Sequence, residues 1–389
     1  MAKKTEKERK LEAALNHVNK TYKSALVLSN ADEFEKAEAF STTFTDIDDS
    51  IGCGGLPKGR VVELFGPETS GKTWLALKTV VNALSNGSEL CGWLDVEQSF
   101  PYDRLIALSK NNSDIMRRLK ISKNVCSAEM HLDTMEAMIR SGAMDIVVLD
   151  STAALSPQAE LDGSLQDNQM ALLARMLSKS LRQILNACAS TNATAIFINQ
   201  VREKVGVMYG NPETTPGGRA LKFYSSVRLR MELLNSADAK IIKDDKLIGG
   251  RTRVRIVKSR FGPPALEPCI IPIYYSGDPD IMEVAFTFAR IGKMKVISKR
   301  KNVFKYDELT AESESLLRTA ITESNMLPKL CDDCIAKAKE INIPVPVEIT
   351  QYVANGYKDI ASPTSEEVPA EVDENVDEVE EDPEAEDKF

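Results

Sequence analysis

The sequence predicts an α/β fold built on a mostly parallel sheet, and three observations predict it. Strand-like apolar runs alternate with helical stretches from about residue 35 to 270, the pattern of strands joined by crossover helices. The run Val61-Val62-Glu63-Leu64-Phe65 enters Gly66-Pro67-Glu68-Thr69-Ser70-Gly71-Lys72-Thr73, and a helical stretch from Trp74 to Leu84 leaves it. A further run, Ile146-Val147-Val148-Leu149, closes on Asp150. Sheets of this kind bind ligands beyond the carboxyl ends of their strands. Polar residues collect there: Glu97 after Leu90–Val96, Asp150-Ser151 after Ile146–Leu149, and Asn199-Gln200 at the end of Ala193–Asn199.

The stretch Gly66–Thr73 fits G-x-x-x-x-G-K-[ST], the loop that wraps nucleoside triphosphate phosphates, so the core reads as a P-loop NTPase. Its glycines let backbone N–H groups turn onto phosphate oxygens, and the helix N-terminus adds the positive end of its dipole. The cradle so read runs through Gly66, Pro67, Glu68, Thr69, Ser70, Gly71, Lys72, Thr73 and Trp74. Lys72 reaches the outer phosphates, and the Thr73 hydroxyl holds Mg²⁺ together with Asp150. A Gly-rich turn with a solvated lysine is the plainer reading of the loop, and a helix-capping aspartate that of Asp150. Glu97 is a candidate base that orients or deprotonates an attacking water.

Composition bounds the remaining classes. At 389 residues, 43% hydrophobic and 28% charged, the chain is that of a globular protein with two or three domains. No apolar run approaches the length of a membrane span. The basic start, Met1 to Lys10, has no apolar segment behind it, so no signal peptide is expected. Seven scattered cysteines point to a reducing cytoplasm rather than a disulfide framework. The net charge of −9 is uneven: residues 365–389 carry thirteen Asp/Glu and one Lys, so the preceding body sums to about +3. A mildly basic body with an acidic tail is compatible with nucleic-acid binding.

Taken in order, residues 6–22 predict a helix, with Leu11, Ala14, Leu15, Val18 and Tyr22 at helical spacing, followed by the short apolar stretch Ala25–Leu28. A helix plus a strand ahead of the main domain reads as an arm that docks elsewhere, with packing on its own domain as the alternative. Leu161–Gln169 reads as a polar loop, and the helix after it carries Arg175, Ser178, Lys179 and Arg182 on one face, by itself the pattern of a solvated basic face. Val201 to Arg219 is a long loop without clear periodicity, holding Arg202, Lys204, Val205, Met208, Tyr209 and the pair Gly217-Gly218. Such a loop suits ordering on a nucleic-acid backbone. Arg251 to Arg260 alternates as a strand, with Lys258 and Arg260 two apart and suited to sensing a γ-phosphate, with surface solvation as the alternative. Cys331-Asp332-Asp333-Cys334 is a lone C-x-x-C without a second ligand pair, which favours thiols on a helix over zinc. Residues 361–389 are expected to be disordered.

Together these segments resemble the RecA family of homologous-recombination ATPases from about residue 45 to 262. The series includes Gly54-Gly55-Leu56-Pro57-Lys58-Gly59-Arg60, the phosphate loop, Asp150-Ser151-Thr152-Ala153-Ala154-Leu155, Asn199-Gln200-Val201-Arg202, the run from Gly206 to Thr215, Gly217-Gly218 and Ala220-Leu221-Lys222-Phe223-Tyr224. The resemblance implies a RecA-like core, an N-terminal helix–strand arm, a small C-terminal α+β domain and a disordered acidic tail. It divides the chain into 1–34, 35–272, 273–350 and 351–389. It implies ATP and Mg²⁺ as cofactors, and a helical filament on single-stranded DNA that exchanges strands with homologous double-stranded DNA. Single-strand-binding and loader proteins are further partners of such a filament, which would be cytoplasmic with no membrane role.

Position by position, Glu97 matches the water-activating glutamate, Gln200 the γ-phosphate sensor, and Lys258 and Arg260 the cations that reach across the subunit interface. The stretches 161–170 and 201–218 match the two DNA-binding loops. Met170 and Val205 match apolar wedges between base triplets. Arg175, Ser178, Arg182, Arg202 and Lys204, with the backbone of Gly217 and Gly218, match DNA contacts, and Arg253 and Arg255 match a weaker second DNA site. The arm at 6–28 matches the oligomerisation arm.

The sequence departs from the bacterial pattern after Glu97. Gln98-Ser99-Phe100-Pro101-Tyr102-Asp103-Arg104-Leu105 looks more like the archaeal and eukaryotic strand-exchange proteins. There an arginine stacks on adenine, which makes Arg104 the first candidate and Tyr102 the second. Beyond residue 270 the similarity fades, as in a bacteriophage or otherwise distant member. A ring-type DNA motor and a non-enzymatic recombination mediator are the competing classes.

Overall fold

A computed structural model of the protein describes residues 5–22, 37–162, 172–203, 213–236, 239–243, 246–263, 267–275, 281–290, 294–300, 303–341 and 345–357. Nine strands form the main sheet: β1 (Val61–Gly66), β2 (Cys91–Asp95), β3 (Leu119–Ser122), β4 (Ile146–Asp150), β5 (Thr194–Gln200), β6 (Val227–Leu233), β7 (Lys240–Lys243), β8 (Lys246–Ser259) and β9 (Cys269–Tyr274). Six of them run parallel in the order β6-β1-β5-β4-β2-β3. An antiparallel extension follows, in which the 14-residue β8 is long enough to pair with β6, β7 and β9.

The central strands are apolar runs because the sheet is buried on both faces. Alternate residues serve two different cores. Val62, Leu64, Val148, Ile196 and Ile198 pack with Trp74, Leu75 and Leu105 on one face. Val61, Val147, Leu149, Ala195 and Phe197 pack with Leu132, Met135, Leu177 and Leu181 on the other. The first face is covered by the helices Lys72–Ser85 and Tyr102–Ser109, the second by Ala128–Arg140 and Leu172–Thr191. Ser127 caps the start of Ala128–Arg140 by accepting from the Met130 N–H at 3.4 Å.

The N-terminal helix runs from Glu6 to Tyr22 with Leu11 and Val18 exposed, while Ala25–Leu28 lies outside the described residues. Toward the C-terminus, helices Ile281–Arg290, Glu314–Glu323, Leu327–Ile341 and Val347–Ala354 surround a three-stranded antiparallel sheet (Ser298–Arg300, Val303–Tyr306, Leu309–Ala311). This α+β part has its own core of Phe286, Phe288, Ile321, Leu330 and Tyr352. Cys331 and Cys334 are buried free thiols of that core on the helix Leu327–Ile341. A nearly buried ion pair between Lys78, on the helix after the phosphate loop, and Glu348 joins it to the large sheet. The acidic stretch beyond residue 357 lies outside the described residues.

Candidate nucleotide site and loop bases

The phosphate loop sits between β1 and the helix Lys72–Ser85, which starts two residues earlier than its apolar periodicity suggests. Gly66 is required by close approach: a Cβ there would lie 2.0 Å from the Met231 carbonyl oxygen on β6. Lys72 is buried, and its ammonium donates to the carbonyls of Gly66 at 3.1 Å and Pro67 at 2.6 Å. Burial lowers its pKa, against the opposing pull of Asp150, Glu97 and Glu68. Pro67, Glu68 and Thr69 are exposed on the loop. The Ser70 hydroxyl donates to the Pro67 carbonyl at 2.7 Å and fixes the turn. Trp74 differs from expectation: its ring is buried in the core against Phe44, at 5.8 Å between centroids, so it supplies packing rather than a side-chain group to the cradle.

The strand ends bring the polar residues together. The Thr73 hydroxyl donates to Asp150 Oδ2 at 2.9 Å. Asp150 is buried, which pushes its carboxyl up to about 7. The Thr73 hydrogen bond and Lys72 oppose that rise, whereas Glu97 and Asp95 add to it. The Asp150 carbonyl accepts from the N–H groups of Val96 at 2.7 Å and Glu97 at 3.2 Å, which ties β4 to the segment carrying Glu97. Glu97 Oε1 accepts from the Ser151 hydroxyl in a short hydrogen bond and from Gln200 Nε2 at 3.3 Å. Glu97, Ser151 and Gln200 thus meet from three strands. Ser151 as a direct partner of Glu97 was not legible, because the contact spans 54 positions of sequence.

Among the described residues, no group of three His, Cys, Asp or Glu could hold a metal ion. The Thr73–Asp150 pair nonetheless fits Mg²⁺, which takes one or two protein oxygens and fills its remaining positions with water and phosphate. Tyr102, exposed, and Arg104, half-buried, lie in the first turn of the helix Tyr102–Ser109, which packs through Leu105 into the core beside the phosphate-loop helix.

The long loop after β5 has a base that its sequence did not announce. Arg202–Glu203 pairs antiparallel with Glu213–Thr214 in a two-stranded stem. Glu213 accepts from Arg230 Nε at 2.9 Å and Nη2 at 2.5 Å, a bidentate pair along one guanidinium edge. Gly217, at φ +82°, lies where a Cβ would meet Leu177 Cδ1 at 2.3 Å, and Gly218 lies close to Ala174. These glycines seat the loop's return against the helix Leu172–Thr191, whose Arg175, Lys179 and Arg182 are exposed and whose Ser178 is half-buried. Met170, Lys204 and Val205 lie outside the described residues. The earlier polar loop begins later than expected, since Gln158–Asp162 is helical.

Lys258 near the end of β8 and Arg260 just beyond it meet at one backbone carbonyl. Lys258 Nζ donates to the carbonyls of Lys222 at 2.8 Å and Phe223 at 3.1 Å, and Arg260 Nη2 donates to the same Phe223 carbonyl at 3.4 Å. Burial lowers the Lys258 pKa, helped by Arg260 and Arg228. The β6–β8 register shifts here, pairing Leu229 with Ile256 and Arg228 with Lys258, so Val257 is the extra residue of a bulge. Bulges re-aim the side chains that follow them. Arg253 is half-buried and reaches Glu232 at 3.5 Å, while Arg255 is exposed.

A family model for the RecA N-terminal domain matches residues 9–278. "Protein RecA" of Clostridioides difficile (strain 630) is 38% identical over 332 residues, covering 80% of this chain and 92% of the relative. "Protein RecA" of Teredinibacter turnerae (strain ATCC 39867 / T7901) is 40% identical over 288 residues, 74% of this chain and 81% of the relative. That of Chloroherpeton thalassium (strain ATCC 35110 / GB-78) is 41% identical over 295 residues, 75% and 79%. Among solved structures, the crystal structure of the RadB recombinase is similar at 21% identity and a TM-score of 0.46, covering 61% of this chain and 97% of that one.

Proposed function

The chain belongs to the RecA family, and from that premise we propose how its residues carry the activity of an ATP-dependent DNA recombinase in homologous recombination and repair. The observation that carries the mechanism is the meeting of Glu97, Ser151 and Gln200 at the strand ends beside Lys72, Thr73 and Asp150. Lys72 exchanges its loop carbonyls for the outer phosphate oxygens of ATP. Thr73 and Asp150 hold Mg²⁺, which neutralises charge on the phosphates when bound. Ser151 and Gln200 fix the Glu97 carboxylate so that its other oxygen can orient or deprotonate the attacking water. Gln200, sitting between Glu97 and the loop that follows β5, reads the γ-phosphate. Arg104, with Tyr102 second, stacks on the adenine.

Single-stranded DNA lies along the exposed cations Arg175, Arg182 and Arg202 and the backbone of Gly217 and Gly218, with Ser178 beside them. Lys204 contributes a further cation, and Met170 and Val205 supply wedges between bases. Arg253 and Arg255 serve the incoming duplex. Lys258 and Arg260 serve the ATP of a neighbouring protomer in a helical filament, so nucleotide lies between subunits and stabilises the stretched state. Exchange between identical sequences breaks and remakes the same base pairs, so pairing is nearly balanced in free energy. Hydrolysis is then needed for release rather than for recognition. We assign 1–34 as the arm, 35–272 as the ATPase core, 273–350 as the small C-terminal domain and 351–389 as linker and tail. Cytoplasmic location and partnership with single-strand-binding and loader proteins belong to the same reading.

The test is ATP hydrolysis with and without single-stranded DNA, with Lys72→Ala as control. Strong stimulation that disappears in the control is expected. Equal rates with and without DNA would point to a different motor of the superfamily, and no hydrolysis to a mediator.

A further inference from the structure

Glu63 interrupts the apolar run of β1 and is fully buried at the centre of the sheet. A carboxylate there is costly unless several partners hold it. It stands directly opposite Arg228 in the parallel β1–β6 register, and diagonal to Asn199 on β5, whose Phe197 is its direct neighbour. Its Oε2 accepts from Arg228 Nε in a short ion-paired hydrogen bond, and its Oε1 accepts from Asn199 Nδ2 at 3.2 Å.

Each partner leads elsewhere. Asn199 Nδ2 also donates to the Pro216 carbonyl at 3.3 Å, next to the Gly217-Gly218 hinge, and Asn199 Oδ1 accepts the Gln200 N–H at 3.0 Å. Arg228 lies over the Phe65 ring at 4.4 Å, one residue before the phosphate loop, and pairs across β6–β8 with Lys258 at the bulge. Its Nη2 is buried and finds no acceptor among the described residues. An incompletely satisfied buried ion pair contributes little net stability, so stability alone does not account for it.

We propose that Glu63, with Asn199 and Arg228, is a positioning hub that couples the nucleotide site to the DNA loop. It sets the backbone of Gln200, the carbonyl from which the loop hinges, and the strand that carries the trans cations, all from one carboxylate. This rests on the reading of Gln200 as γ-phosphate sensor and of 201–218 as a DNA-binding loop. Glu63 touches neither nucleotide nor DNA. Its effect is on how strongly one site reports to the other.

The experiment measures the affinity of the full chain for a fluorescent oligo-dT at fixed salt, without nucleotide and with the slowly hydrolysed analogue ATPγS. The ratio of the two dissociation constants is the coupling. For Glu63→Gln the ratio should fall roughly tenfold, within the usual range of allosteric coupling, while affinity for ATPγS itself stays within about threefold of wild type, a change below 1 kcal/mol. A purely structural role would lower the melting temperature and leave the ratio alone. If Glu63→Gln does not fold, Asn199→Ala, which keeps the Glu63–Arg228 pair intact, is measured in the same way with the same expected loss. An unchanged ratio in a folded variant overturns the hub. No tightening by ATPγS in the wild type defeats the recombinase reading and the hub with it, and is recognised because it appears before any substitution.

Discussion

Single side chains set the chemistry and its pH dependence. Glu97→Ala keeps the phosphate loop but removes the group proposed to orient water. Turnover should fall by about 10²–10⁴-fold, the usual worth of a general base, while filaments still assemble and fail to release. Steady-state hydrolysis and electron microscopy check both halves, and normal turnover would remove Glu97 from its role. Asp48 offers a separate titration. It is buried behind Ser41 and Thr42, whose hydroxyls donate to it at 2.6 Å each, and burial pushes its carboxyl up to about 7. A folded-state value above the ordinary one means that its contribution to stability is full below pH ~4 and is lost as pH rises through about 7. Asp48→Asn removes that loss, so its melting temperature should gain on wild type between pH 5 and pH 8. A difference that stays constant across that range would contradict the assignment.

Elements fix where those side chains meet, and here sequence and structure divide unevenly. The phosphate loop was legible because its chemistry is local: glycines, lysine and threonine act within eight consecutive residues, flanked by a strand and a helix. The central strands were legible because burial on both faces makes them apolar throughout. The stem Arg202–Glu203 with Glu213–Thr214 was not, since two-residue strands carry no periodicity and owe their pairing to Arg230 clamping Glu213. The Val257 bulge and the Glu63–Asn199–Arg228 cluster were hidden for the same reason: each depends on register between strands far apart in the chain. Trp74 misled because a residue next to the loop was read with the loop, whereas its helical phase turns the ring into the core. Gly217→Ala belongs at this scale. The added methyl meets Leu177 on a backbone with positive φ, so the loop's return should shift and single-stranded DNA affinity drop by at least about tenfold, equal to 1.4 kcal/mol. Fluorescence anisotropy with unchanged nucleotide affinity as reference measures it.

At the scale of the whole molecule, the proposed function rests on a surface shared between protomers. Lys258→Ala should leave the protomer folded and able to bind nucleotide, yet reduce DNA-stimulated hydrolysis by about 10³-fold, the lower worth of a cation supplied in trans. Equal hydrolysis by the variant would place Lys258 outside the catalytic interface. The charge distribution makes a second prediction: removing the residues after Thr364 takes away twelve net negative charges and should speed duplex DNA binding, most clearly at low salt. A stopped-flow association rate identical to the full chain's would leave the tail as a solubility device.

The separation of the hydrophobic residues into cores on the two faces of one sheet and a third core of residues 281–357 has a dynamic consequence. Segments that share a core open together, so amide protons should exchange in at least two cooperative groups, with the distal α+β part opening at lower free energy than β1, β4 and β5. The Lys78–Glu348 ion pair is one tie between those groups, anchored on the helix that begins at Lys72. The distal part can therefore loosen while the central sheet stays closed. How often it does so will register as faster exchange in 281–357 when Glu348 is replaced by alanine.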